Sequence, residues 1–230
     1  MLVHLHTAVQ FMVFIVSFMS FVFYGYQKWQ GQSRVDWEII YVVGIEVVLY
    51  SLLMGLPEEY TNINGAIPIL RYMSWLTTCP VLLSNVICLL AGKRDFRMIA
   101  FPWLLNLWTT IFGILSAIYW GPLKHVCYGL AFVAAGSLYV ELIRISGTKN
   151  VKSLPMFPER KRLLQFLMIT WLIFPVLFSL GPEYGAVITF RQSALFHAIG
   201  DLLSKNLMGF FSWSLGNTML DRLERSESTE

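Results

Sequence analysis

Seven apolar segments, each long enough to cross a bilayer, constrain the fold of this 230-residue chain more than any other feature. A helix needs roughly 20 apolar residues to span the hydrocarbon core. Because 56% of the residues are hydrophobic and 13% are charged, with a mean hydropathy of +0.60, we expect no soluble domain. We predict an all-α membrane protein, a seven-transmembrane-helix bundle forming one domain over 1–220. Its helices cover about 4–28, 36–57, 67–92, 97–120, 122–145, 161–181 and 192–220, and 221–230 is a short charged tail.

The basic residues outside the predicted spans divide unequally between the two ends of such a bundle. Only Lys124 and Arg191 flank one end. Because loops rich in Lys and Arg stay in the cytoplasm, we predict that the N-terminus is outside and the C-terminus is cytoplasmic, in the plasma membrane. The first segment lacks the basic start of a cleavable signal peptide and is predicted to be a true span. Thirteen basic residues flank the other end: Lys28, Arg34, Lys93, Arg94, Arg97, Arg144, Lys149, Lys152, Arg160, Lys161, Arg162, Arg222 and Arg225.

The seventh segment contains a lysine near its middle. An unpaired lysine there costs roughly 2.5–3.5 kcal/mol on insertion scales. Asp201 stands four residues before Lys205, on the same helical face, and offsets that cost. A retinal Schiff base requires such a pair, because the amine condenses with an aldehyde and the resulting iminium needs a nearby negative charge. The pair therefore meets the chemical requirement of a retinal site.

One face of the third segment carries its polar residues. Arg71, Ser74, Trp75, Thr78 and Cys79 follow the spacing i, i+3, i+4, i+7 and i+8. Polar residues on one face of a span line the interior of the bundle and not the lipid. Alternatively, an arginine near the end of a span is able to extend its guanidinium group to the membrane–water interface. The acid in the seventh segment favours a paired arginine inside the bundle.

These segments resemble those of the channelrhodopsin family in order and spacing. The resemblance covers nearly the whole chain and implies a microbial rhodopsin fold. Its motifs are RYMSWLTTCP at 71–80, WLIFPVLF at 171–178, GPE at 181–183 and DLLSKN at 201–206, extended by YGYQ at 24–27, WEIIY at 37–41 and IE at 45–46.

The resemblance implies that all-trans-retinal is bound covalently to Lys205, that Asp201 is the counterion of the Schiff base, and that Trp75 and Trp171 enclose the polyene. Aromatic faces and a dry slot suit a flat conjugated chain, although ordinary bundle packing is the alternative for any one of these rings. Cys79 and Asn106 are implied as a gating pair, in which the amide is able to hydrogen-bond but not to relay a proton. The further implied pocket positions are Ser74, Thr78, Cys79, Gly113, Phe174 and Phe178.

Candidate pore residues lie in the first three spans and the seventh. Gln10, Ser17 and Tyr24 repeat every seven residues and share a face of the first helix. Glu46 is the only acid in the interior of the second span, which makes it a functional candidate; a protonated structural hydrogen-bond partner is the alternative. By family position, Ser17, Glu46 and Asn206 resemble a central constriction.

Departures from the family pattern indicate the subclass. Ser74 and Asn85 stand where proton-exporting pumps have carboxylates, so a pump is not expected. No acid follows Glu46 in the second helix, and a pore without negative rings does not favour cations. By family position, Ile39, Asn85 and Gly216 stand at the inner gate where cation channels tend to have charged or histidine residues, although Glu38 remains. The neutral and positive groups that are expected to solvate chloride are Gln10, Ser17, Tyr50, Arg71, Ser74 and Asn206.

The combination resembles the natural anion channelrhodopsins, and the predicted function is a light-gated anion (chloride) channel opened by photoisomerisation. The alternatives are a light-gated cation or proton channel and a sensory rhodopsin that signals through a partner. The expected partners are chloride and other small anions, the lipid bilayer and, by resemblance, a second copy in a homodimer. Cys79, Cys88 and Cys127 lie in apolar runs and suggest neither disulfides nor a metal site. We expect no enzyme activity, metal or nucleic-acid partner.

Overall fold

The computed structural model describes residues 2–31, 36–56 and 69–227, which are helical apart from short connections. Six of its helices are long and apolar enough to cross a membrane, and a seventh helix follows them. The predicted all-α bundle of seven helices is confirmed. The elements are α1 (Leu2–Gln30), α2 (Trp37–Gly55), α3 (Ile69–Ala91), α4 (Phe96–Ile118), α5 (Pro122–Gly147), α6 (Lys149–Lys152), α7 (Phe157–Trp171), α8 (Ile173–Leu180), α9 (Phe190–Asp201), a π-helix (Leu202–Leu207) and α10 (Met208–Glu227).

The ends of two spans differ from the predicted limits. The sixth span begins at Phe157, before the predicted limit of 161, because Pro158 fits the first turn of a helix, where its missing N–H leaves no bond unmade. The seventh helix continues to Glu227, into the stretch predicted as a tail. The predicted limits at residues 57 and 67, Arg34 and the end of the tail at 228–230 lie outside the described residues.

The sixth span is divided into α7 and α8 at Leu172. Pro175 has no backbone N–H, and its ring clashes with the carbonyl four residues earlier, that of Trp171. The α7 helix accordingly ends at Trp171 and α8 starts two residues later. The break lies beside two of the predicted pocket residues, Trp171 and Phe174.

The seventh helix begins with a capping box and widens in its middle. The Thr189 side chain accepts a hydrogen bond from the Gln192 backbone N–H, and the Gln192 side chain accepts from the Thr189 backbone N–H. The helix then changes to π geometry over Leu202–Leu207. Such wide turns occur often at functional sites, and this one contains Lys205.

The spans pack in the order of the chain, and the ends of the bundle meet because α1 packs on α2 and also on α9. The largest buried apolar cluster joins α3, α5 and α7 with α10, and includes Leu83, Leu142, Leu167 and Met208. Large apolar side chains also cover the outside of the helices, with Trp29 of α1 82% exposed. An apolar exterior around a buried polar interior is what a lipid-embedded bundle requires.

Candidate functional site

A buried lysine joined to two acids lies at the centre of the bundle. Lys205 is 2% exposed, and its Nζ lies 3.0 Å from Oδ1 of Asp201, one helical turn away. The same ammonium donates to Oε1 of Glu46 on α2. Both acids are 0% exposed. Charges this deeply buried are tolerated only when they are paired, so the three side chains form one electrostatic unit.

Asp201 has two further partners on its other oxygen. The Tyr50 hydroxyl donates to Oδ2 at 2.9 Å, and Arg71 Nη1 donates to the same atom at 3.4 Å. Arg71 is 2% exposed, so it is buried inside the bundle and does not reach the membrane interface. The second, third and seventh spans therefore meet around one carboxylate.

Glu46 is held by the third span as well as by the lysine. Ser74 Oγ donates to Oε1 of Glu46 at 3.1 Å. The family resemblance implies a constriction of Glu46 with Ser17 and Asn206, whereas the hydrogen bonds of Glu46 in the structure are with Lys205 and Ser74. Tyr50 follows Glu46 by four residues on α2, so the face that these two residues share is the signal that groups them in one site.

The four buried charges balance formally. Two cations, Lys205 and Arg71, face two anions, Asp201 and Glu46. Among the described side chains of the first, second, third and seventh spans, Glu46 and Asp201 are the only buried acids. The site thus leaves no unpaired carboxylate in this part of the bundle.

An apolar cavity of about 120 Å³ lies between α3, α4, α5 and the sixth span. Of the predicted pocket residues, Trp75, Cys79, Gly113, Trp171, Phe174 and Phe178 line it. Thr78 does not line it; its hydroxyl donates to the Ser74 carbonyl at 2.8 Å. Asn106 also lines the cavity, so both members of the predicted gating pair contribute to its lining, Cys79 from α3 and Asn106 from α4.

The fifth span supplies cavity residues that the motifs do not contain. Tyr128, Ala131, Ala135 and Leu138 lie on one helical face, at i, i+3, i+7 and i+10. This spacing is visible in the sequence, but helical periodicity alone does not show which neighbour such a face contacts. The remaining lining residues are Tyr72, Thr109, Thr110, Phe132, Tyr139 and Pro175.

Aromatic rings connect this cavity to the seventh span. Trp75 packs edge-on against Phe174, with ring centroids 5.1 Å apart. His197 lies 5.4 Å from Trp75 and is 2% exposed. Its Nδ1 lies 2.8 Å from the Ser193 carbonyl, which favours the tautomer with the proton on Nδ1. His197 is therefore a packed core residue.

The first and seventh spans are joined next to the lysine. Asn206 Nδ2 donates to Ser17 Oγ at 3.0 Å, and both residues are buried. Gln10, two helical turns earlier on α1, is 7% exposed. Asn206 directly follows Lys205 in the π-helix, so this hydrogen bond lies one residue from the lysine.

A second polar cluster lies where α2 begins, toward the predicted cytoplasmic end. Asn85 Nδ2 donates to Asp36 Oδ2 at 2.8 Å, and Arg94 forms an ion pair with Glu38. Among the predicted inner-gate positions, Glu38 and Asn85 thus have defined partners, while Ile39 is 2% exposed in an apolar cluster with Tyr24 and Val43.

The loop between the sixth and seventh spans contains a buried acid, the glutamate of the GPE motif at 181–183. Glu183 is 3% exposed. Burial raises the pKa of its carboxyl to about 7, although Arg71 and Lys124 act in the opposite direction. This group therefore titrates near neutral pH.

Comparisons with known proteins agree with this geometry. Residues 1–219 match the family described as bacteriorhodopsin-like protein. Sensory rhodopsin-2 of Natronomonas pharaonis is 25% identical over 218 residues, which cover 93% of this chain and 88% of that protein.

Solved structures show the same fold. The proton-pumping rhodopsin AR2 of the marine alga Acetabularia acetabulum superposes with a TM-score of 0.84 at 21% identity, covering 94% of this chain and 96% of that one. The red light-activated channelrhodopsin Chrimson superposes with a TM-score of 0.80 at 20% identity, covering 95% of this chain and 79% of that one. Pumps and channels thus share this architecture, and the fold alone does not separate them.

Proposed function

The chain belongs to the bacteriorhodopsin-like protein family, and from that premise we propose that it is a light-gated channel that conducts chloride and other small anions passively. It is a multi-pass membrane protein with the microbial rhodopsin fold. An N-terminus outside the cell, a plasma-membrane location and a homodimer belong to the same proposal.

Members of this family bind retinal covalently through a lysine Schiff base, and retinal is the cofactor of this chain. The residues present fit that group. Lys205 is the buried lysine of the described residues, two acids accompany it, and an aromatic cavity opens beside Trp75 and Cys79. When bound, retinal supplies the absorption of visible light and the isomerisation that follows it.

The single observation that carries the anion proposal is the distribution of buried charge. The two buried acids near the proposed pore, Glu46 and Asp201, are both engaged by Lys205. Arg71 adds a further positive charge. A pathway whose acids are neutralised and whose remaining groups are amides and hydroxyls presents donors to an anion and no negative ring to a cation.

The proposed pathway also carries buried polar atoms that have no hydrogen-bond partner in the described residues. Asn206 Oδ1, Ser212 Oγ, Trp213 Nε1 and Asn217 Oδ1 follow the seventh helix away from Lys205. Asn206, Trp213 and Asn217 are spaced i, i+7 and i+11, on one helical face. Buried polar groups normally find partners, and water along this face would supply them, so the alignment of these unpartnered atoms supports the proposal of a conduit.

The proposed gate closes where Asn206 donates to Ser17. In the closed state this bond joins the first and seventh spans next to the lysine. A shift of the π-helix that contains Lys205 separates Asn206 from Ser17. Movement of Trp171 at the break after α7 provides a second route by which the sixth span adjusts.

Direct proton relay through the third span is not part of this mechanism. Ser74 donates to Glu46, and Asn85 donates to Asp36. Neither a hydroxyl nor an amide accepts and releases protons as a carboxylate does near neutral pH. Both side chains therefore act as hydrogen-bond donors, Ser74 to an acid within α2 and Asn85 to the acid that directly precedes α2.

The curated relatives favour a second candidate, a sensory photoreceptor. The relative from Natronomonas pharaonis is a sensory rhodopsin, and the match covers 93% of this chain. In that case light changes the surface that a partner protein contacts, and conductance is incidental.

Reconstituted vesicles separate these candidates. The protein is reconstituted with retinal, a gradient of potassium chloride is imposed, valinomycin is added so that potassium carries the compensating charge, and a chloride-sensitive fluorophore is enclosed. An anion channel dissipates the imposed chloride gradient under light. A chloride pump instead builds a chloride gradient under light when none has been imposed. A sensory receptor leaves chloride unchanged, and so does the Lys205→Ala control. Failure of light to speed chloride equilibration contradicts the proposal.

A further inference from the structure

A second cavity lies away from the lysine, between the end of the fifth span and the start of the sixth. Its volume is about 340 Å³. The last turn of α5 forms one wall and α7 forms the other, while α6 closes one end. The side chains that shape it are Ile143, Ser146, Lys152, Phe157, Lys161 and Gln165. We call this cavity the α5–α7 groove.

The α7 wall is a single helical face. Phe157, Lys161, Leu164, Gln165 and Met168 follow the spacing i, i+4, i+7, i+8 and i+11. Leu164 and Met168 belong to or pack against the apolar core, so the floor of the groove is apolar. Charge is confined to its rim.

Two lysines at the rim have no acidic partner. Within the described residues, neither Lys152 nor Lys161 has a carboxylate oxygen within ion-pair distance, and both are exposed. By contrast, Arg144 in the same region pairs with Glu141 at 2.5 Å. The nearest acid along α7, Glu159, stands two residues before Lys161, and residues with that spacing do not face each other on a helix.

Apolar surface next to the groove is open to the membrane. Ile143 is 59% exposed and stands one turn before the end of the fifth span at Gly147. Phe157 opens the sixth span at the same end of the bundle. The groove thus lies where spans end, which is the depth of lipid headgroups in a bilayer.

We propose that the α5–α7 groove binds one anionic phospholipid. Lys152 and Lys161 hold its phosphate, the Gln165 amide donates to the headgroup, and the acyl chain packs on Ile143. Basic pockets between transmembrane helices recognise lipid headgroups through this combination of charge and apolar wall. A soluble phosphate uses the lysines but gains nothing from the apolar wall. The site is independent of which ion the chain conducts.

Native mass spectrometry of the retinal-bound protein released from nanodiscs tests this proposal. The nanodiscs contain phosphatidylcholine with a minor fraction of phosphatidylglycerol. The test variant is Lys152→Gln/Lys161→Gln. The control, Lys149→Gln/Arg162→Gln, removes the same charge from the same region but changes no residue that lines the groove. Visible absorbance verifies that each variant is folded.

The parent and the control are expected to retain one phosphatidylglycerol, and the groove variant to retain about tenfold less. Equal loss in both variants indicates diffuse surface charge and overturns the proposal. Equal retention of phosphatidylcholine overturns it as well. Displacement of the retained lipid by inorganic phosphate assigns the site to a free anion, and this also contradicts the proposal.

Discussion

Glu46 and Lys205 are 159 residues apart in the chain and meet as an ion pair in which neither side chain is more than 2% exposed. Ser74 donates to the same oxygen of Glu46 that the lysine contacts. The second, third and seventh spans are therefore joined at one atom, and a change at the lysine is felt in all three.

Glu46→Gln tests this connection, because it keeps the shape of the side chain and removes its charge. A hydrogen bond to a charged group contributes about 1.5–3 kcal/mol, so we expect the photocurrent amplitude or closing rate to change roughly tenfold. Colour is retained because Asp201 remains beside the lysine. Whole-cell recording under light measures the effect.

The matched control is Glu159→Gln, an exposed acid at the start of α7. Its currents should equal those of the parent. Unchanged currents in Glu46→Gln would reduce Glu46 to a structural role.

Lys205→Ala removes the proposed attachment point. We expect neither visible absorbance nor photocurrent, because no other lysine of the described residues is buried. Absorbance spectra of purified protein supplied with retinal give the answer, with the exposed Lys149→Ala as the control. A coloured Lys205→Ala protein, without an added amine, contradicts the assignment.

Much of this site follows from spacing within single helices. Asp201 and Lys205 are separated by one helical turn in the sequence, and in the structure Nζ of Lys205 lies 3.0 Å from Oδ1 of Asp201. The face that begins at Arg71 points into the bundle, as its polar residues require. Helical periodicity is a local property, so the sequence contains it directly.

Contacts between helices were less predictable. Glu46 faces Lys205 because of the axial register of α2 against the seventh helix, and no local pattern specifies that register. The π-helix at Leu202–Leu207 contributes, since a wide turn changes which residues face inward after it. The break at Leu172 is predictable from the sequence, because Pro175 disrupts the helix locally. The residues of α5 that line the cavity are not, because they depend on how the helices pack against one another.

The hydrogen bond from Asn206 to Ser17 is proposed to hold the channel closed. Ser17→Ala removes it without touching the residue next to the lysine. A neutral hydrogen bond contributes about 0.5–1.5 kcal/mol, so closing is expected to slow roughly two- to tenfold. Current decay after a light pulse provides the measurement.

A double-mutant cycle with Asn206→Ala distinguishes a shared bond from two separate effects. If the bond is the cause, the double variant closes no more slowly than either single variant. Fully additive effects on closing would exclude it as the gate.

The burial of Glu183 leads us to predict that the free energy of unfolding depends on pH. Its pKa is raised by burial to about 7 in the folded protein, above its ordinary value of 4.5. Between these values the unfolded chain has lost the proton that the folded protein keeps, so stability falls as pH rises from about 4.5 to 7. The total loss is about 3 kcal/mol.

The rate of colour loss at elevated temperature, followed across this pH range, measures that dependence. Glu183→Gln should flatten the profile, since its amide does not titrate. Glu159→Gln, which changes an exposed acid, should leave the slope intact. A parent profile that is already flat contradicts the role assigned to burial.

The reversal potential of the photocurrent under asymmetric chloride tests the central claim most directly. Whole-cell currents are recorded while chloride on one side is replaced by a large impermeant anion and sodium and pH are held constant. The proposal predicts that the reversal potential follows the equilibrium potential of chloride at every gradient. A reversal potential that ignores chloride and moves when sodium or pH is changed would contradict it.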